Sequence, residues 1–113
     1  MTRNQNSTRY YSSRQEKKVA KAVGGRKTPN SGATRFSKGD VTSDQWLLEC
    51  KTCTKEQKTF TLRKEWFEKN EEEAFAMRKP YNAIVVDFGD GEQHYIISER
   101  LFKKLKDSLE EDL

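Results

Sequence analysis

Ile84-Val85-Val86 is the most apolar triplet in a chain whose hydrophobic fraction is only 33%. A run this short between turn formers is a strand, and here it spans residues 82–88. Gly89-Asp90-Gly91 follows as a turn, and residues 93–97 pair back as a second strand. One other run, Trp46-Leu47-Leu48, reads as core strand and continues to Thr52. With 113 residues and 35% charged side chains, against about a quarter in ordinary domains, the chain has material for one thin-cored domain.

The helices are marked by their punctuation. Ser13 has N-cap character with Glu16 three residues on, a capping-box spacing. The helix runs to Val23 and stops at Gly24-Gly25, with Glu16, Val19, Ala20 and Val23 on one face. Residues 26–39 form a Pro-, Asn-, Ser-, Gly-rich loop. Asp40-Val41 and residues 46–52 form a hairpin turned by residues 42–45, and residues 59–62 are a candidate third strand. A helix over 63–79 ends at Pro80, with Phe67, Asn70, Ala74 and Met77 on one face. Its acids Glu71-Glu72-Glu73 read as a solvated face, and Trp66, Phe67, Phe75 and Met77 as core or dimer contact. Ser98 caps a last helix carrying Leu101, Phe102, Leu105 and Leu109. The order αβββαββα is an α/β layered fold with a mixed five-stranded sheet flanked by helices. Residues 1–12 show no periodicity and read as a flexible basic tail; residues 13–113 are the single domain.

Charge is unevenly spread. Residues 1–38 hold ten Lys or Arg against one acid, Glu16; residues 39–113 hold twelve against seventeen. A basic first third points to a polyanionic partner. The polar start lacks a signal-peptide h-region, and no run approaches the ~20 apolar residues of a membrane span. The expectation is therefore a soluble cytoplasmic protein without membrane contact. Cys50-x-x-Cys53 is half a zinc site at most, because His94 is the only histidine; Cys50 reads as a small buried side chain. His94 reads as strand surface.

E-x-K occurs three times, at Glu16, Glu49 and Glu56, and only context separates the copies. Glu49 extends a core strand, where an unpaired carboxylate is costly. Glu49 and Lys51 share one face of that strand, and Leu48 and Cys50 share the other. If Asp44-Gln45 is the hairpin turn, Asp40 stands opposite Glu49 on the same face. Two such carboxylates repel, and a hard divalent cation between them relieves the repulsion. Glu16 lies on the buried face of its helix and adds a third acid. The alternatives are a plain capping residue for Glu16, a surface ion pair for Glu49 and Lys51, and a turn residue for Asp40. Three acids with a lysine suit phosphodiester hydrolysis, the lysine orienting hydroxide and neutralising phosphate. Lys17, Lys18, Lys21, Arg26, Lys27, Arg35 and Lys38 are candidate DNA contacts.

Glu16 on a helix, Gly39-Asp40, then Glu49-Cys50-Lys51 resembles the PD-(D/E)XK nuclease superfamily, whose fold is restriction-endonuclease-like. The order of elements is similar to its Holliday junction resolvase branch of archaea and phages, and residues 29–33 are similar to that branch's Gly/Ser-rich loop. Gly39 stands where the motif has Pro, and Lys17 follows the helix Glu where archaeal resolvases carry Arg. The resemblance implies metal at Asp40, Glu49 and the Cys50 carbonyl, completed by Glu16, with Lys51 catalytic, and it makes Ser31 of that loop a candidate DNA contact. It further implies magnesium, replaceable by manganese, and a homodimer cutting branched DNA. A phage-encoded enzyme of this kind would act in the host cytoplasm. Flaps, nicks or plain duplex are alternative substrates, and a non-catalytic DNA-binding module is the alternative role.

Overall fold

The structure, a computed structural model, describes residues 8–28 and 40–111. Its elements are α1 (Thr8–Val23), β1 (Arg26–Lys27), β2 (Asp40–Thr42), β3 (Trp46–Thr52), α2 (Lys64–Ala76), β4 (Tyr81–Asp87), β5 (Gln93–Ile96) and α3 (Glu99–Glu111). The fold is α/β, with a five-stranded mixed sheet ordered β1-β2-β3-β4-β5 and three helices. β3 and β4 are parallel, and every other neighbouring pair is antiparallel. The αβββαββα order expected from the sequence is the one observed.

Three details differ. α1 begins at Thr8, not Ser13. Tyr11 and Ser12 are half-buried, so helix propagation continues past a residue whose hydroxyl only resembled a start signal. Residues 1–7 of the expected tail lie outside the described residues, as do 29–39 with Ser31, Arg35, Lys38 and Gly39. The remaining strand is β1, not residues 59–62, which form no strand. Those residues instead carry Phe60 against Trp66 and Phe88, with ring centroids 6.5 and 5.9 Å apart. Finally, Phe75 is 86% exposed and Met77 is exposed as well, so neither belongs to the core.

The α1–β1 corner follows from two glycines. Gly24 has φ +67°, a left-handed conformation that suits a residue without Cβ. The Gly25 amide donates to the Ala20 carbonyl at 2.8 Å, which closes the helix in the Schellman manner. A Cβ on Gly25 would lie 2.4 Å from the Thr42 carbonyl oxygen, so only glycine lets α1 turn directly onto the sheet.

The sheet has two covered faces. On one, Val19 of α1 packs with Val41, Leu48, Cys50, Ala83 and Val85. On the other, α2 buries Asn70 and Ala74, and the Asn82 amide donates to Asn70 Oδ1 at 2.7 Å. Coverage on both sides explains the five consecutive buried residues Ala83–Asp87 in β4; a strand buried on both faces reads as continuous hydrophobicity, not alternation. No helix of the described residues is long and apolar enough to cross a membrane.

Candidate active site

The β2–β3 hairpin sets the register on which the site depends. The Ser43 amide donates to the Trp46 carbonyl at 3.1 Å, and Asp40 pairs with Glu49, Val41 with Leu48 and Thr42 with Leu47. Directly opposed residues share a face. β4 continues it, Glu49 lying beside Ile84 and Lys51 beside Val86. Asp40, Glu49 and Lys51 thus stand together on the face that α2 covers.

Lys51 Nζ lies 3.2 Å from Glu49 Oε2 and 4.3 Å from the centre of the Trp66 ring on α2. A cation over an indole face is held by the ring quadrupole, so the ammonium is fixed by a carboxylate and an aromatic at once. Asp40 is only 2% exposed. Burial, with the nearby charges of Glu73 and Glu49, pushes its carboxyl up to about 9. Asp40 therefore holds a proton near neutrality and shares a hydrogen bond with Glu73, whose own carboxyl is raised, first by burial. Asp40 Oδ1 is buried with no hydrogen-bond partner among the described residues.

Glu73 is the acid that sequence reasoning missed. The run Glu71-Glu72-Glu73 was expected to face solvent, yet Glu73 is half-buried while its two neighbours are exposed. A signal was present: Glu73 lies three residues after Asn70 and beside Ala74, at the border of the buried stripe of α2.

Glu16 is placed differently from the other acids. It lies on α1, across the sheet from Glu49 and Lys51, and pairs with Lys27 Nζ at 3.7 Å. Burial raises its carboxyl, and Lys27 opposes the shift. Its charge reaches Asp40 as the smallest of the causes acting there. Glu16 therefore approaches the end of β2 from the α1 side. Cys50 is buried on that side, and its thiol is raised by burial and then by Glu16, Asp40 and Glu49. Strand alternation puts the Cys50 carbonyl on the same edge of β3 as that of Trp46, which accepts from Ser43. In this register the position opposite Cys50 is residue 39, which lies outside the described residues.

Gln15 is a second residue the sequence did not flag. Its buried amide nitrogen donates to the carbonyls of Lys51 at 2.9 Å and Val85 at 3.2 Å, and to Gln93 Oε1 at 3.0 Å. Gln93 in turn donates to Asp87 Oδ2 at 2.7 Å. One side chain thus ties α1 to the backbone of the residue that carries the site's ammonium. Of the basic candidates, Lys17, Lys21 and Arg26 are exposed, Lys18 donates to the Gly91 carbonyl at 3.0 Å, and Lys27 donates to Ser13 Oγ at 3.2 Å.

Among the described residues, no three His, Cys, Asp or Glu side chains are grouped so as to hold a metal ion. Magnesium is usually bound through only one or two carboxylates and several waters. Opposed Asp40 and Glu49, with the orphaned Asp40 oxygen between strand end and helix, fit that smaller requirement. No family model matches the chain, and neither does any curated protein or solved structure.

Proposed function

We propose that this chain is a magnesium-dependent endodeoxyribonuclease of the PD-(D/E)XK type, acting as a homodimer on branched DNA. The observation that carries the reading is the pairing of Asp40 with Glu49 on one sheet face, with Lys51 beside them and a buried Asp40 oxygen left without a partner. A buried polar atom without a partner costs free energy unless a ligand satisfies it. Asp40 and Glu49 would hold the cation, together with the Cys50 carbonyl. Bound there, the cation would lower the pKa of a water and stabilise charge on the phosphate.

The chain's own residues supply the rest. Lys51, held by Glu49 and Trp66, presents fixed positive charge to the scissile phosphate and orients the attacking oxygen. Glu73 accepts a hydrogen bond from the protonated Asp40 carboxyl and would take up that proton when a cation binds Asp40. Lys17, Lys21 and Arg26 offer exposed positive charge for the DNA backbone, a contact that confers affinity without sequence preference.

A non-catalytic DNA-binding module is the second reading. The Glu49–Lys51 ion pair favours it, because that pair satisfies both charges without a metal. Incubating the purified chain with labelled four-way junction, flap and duplex DNA, with and without magnesium, separates the two. Magnesium-dependent cleavage that disappears in Lys51→Ala and Asp40→Asn, with DNA binding retained, is expected. Binding without cleavage in magnesium or manganese would assign the module.

A further inference from the structure

α3 meets the rest of the domain through its first half, where Arg100 pairs with Glu71 of α2 at 3.2 Å and Lys104 lies 5.7 Å from the centre of the Tyr81 ring. Leu101 is its only buried residue. It has 13 residues, a length at which an isolated helix is marginal in water. Yet Phe102, Leu105 and Leu109 stand 56%, 37% and 70% exposed. Their spacing of three and then four residues is that of a coiled-coil seam.

The charges of α3 run the wrong way for a helix standing alone. Glu99–Lys106 holds four bases, Arg100, Lys103, Lys104 and Lys106, against one acid; Asp107–Glu111 holds three acids and no base. A helix macrodipole favours acids at the N-terminus and bases at the C-terminus, and the last turn of α3 contains no basic residue. Within the helix, the unfavourable order is offset locally only where Lys106 meets Glu110 at 3.0 Å and Asp107 at 3.7 Å. The same order becomes favourable beside a second α3 running in the opposite direction. There each basic half lies along an acidic half, and the two dipoles oppose.

We propose that α3 is the self-association surface of this protein: two copies pair antiparallel about a two-fold axis near Leu105, with Phe102 of each facing Leu109 of the other. An isologous two-fold contact requires a patch complementary to itself, and a helix that is basic in one half and acidic in the other has that property only in the antiparallel sense. The seam names the interface of the homodimer but does not depend on nuclease activity, since it rests on α3 alone. Three apolar side chains per copy make a small interface, so the dimer is weak and concentration-dependent.

Sedimentation of the full chain across the micromolar range tests this. The wild type is expected to shift from monomer to dimer, and L105E/L109E to remain monomeric. A cooperative thermal transition in L105E/L109E shows that the fold is kept, since both positions are exposed. Two further variants test direction. D107K/E110K/E111K makes the helix basic throughout, and K103E/K104E/K106E makes it acidic. Each alone should be monomeric, and an equimolar mixture should re-form dimers. A wild type that stays monomeric to high micromolar concentration would overturn the proposal. So would dimers of L105E/L109E, or either charge variant self-associating as strongly as the wild type.

Discussion

Asp40→Asn should change how the stability of this protein depends on pH. In the folded chain the carboxyl is raised from 3.8 to about 9, by burial first and then by Glu73 and Glu49; in the unfolded chain it ionises at its ordinary value. A group whose folded pKa is raised contributes its full stability below the unfolded value, and that contribution is lost as pH rises toward the folded value. While the native state keeps the proton and the unfolded chain has released it, stability falls by about 1.4 kcal/mol per pH unit. From about pH 5 to about pH 7 this carboxyl alone therefore removes on the order of 3 kcal/mol. Asn cannot ionise, and its amide can donate to Glu73 as the protonated acid does. Urea unfolding of wild type and variant over this range, without divalent cations, should give curves that diverge, the variant gaining on the wild type as pH rises. Added magnesium favours the ionised form of Asp40, so it should stabilise the wild type more at higher pH and leave Asp40→Asn little changed. Parallel pH curves would refute the buried, protonated Asp40. Equal magnesium stabilisation of both chains would refute Asp40 as a ligand.

Three further outcomes follow from the geometry. Glu73→Gln should reduce cleavage more than Glu16→Gln, because Glu73 touches Asp40 while Glu16 pairs with Lys27; rates on junction DNA check the order. Gln15→Ala should cost about 1–3 kcal/mol in denaturant unfolding, since it strips a buried donor from the Lys51 and Val85 carbonyls and from Gln93. Replacing Cys50 and Cys53 together by Ala should leave magnesium-dependent cleavage in place, at a packing cost on the order of 1 kcal/mol at buried Cys50, measured by thermal unfolding and the same cleavage assay.

Much of the sheet was legible because strands announce themselves locally. The turn at Asp44-Gln45 fixes which residue faces which, so Asp40 opposite Glu49 could be counted from the chain, and the structure has that register. The Gly24-Gly25 stop and the Ser98 hydroxyl accepting from the Leu101 amide at 3.1 Å were likewise written in short spans, whereas the αβββαββα order matches with β1 in place of the strand expected at 59–62. What could not be read was decided between elements. β1 is two exposed residues that become a strand only because β2 lies beside them, so no periodicity marks it. Glu73 looks like its neighbours Glu71 and Glu72 until the rotation of α2 on the sheet turns it toward Asp40. Glu16 shares a helix face with Val19, as its spacing implies, but that face meets the side of the sheet opposite Glu49 and Lys51. Spacing along a chain determines which side chains share a face of one element; which faces then meet depends on packing between segments distant in sequence, and that only the tertiary structure decides.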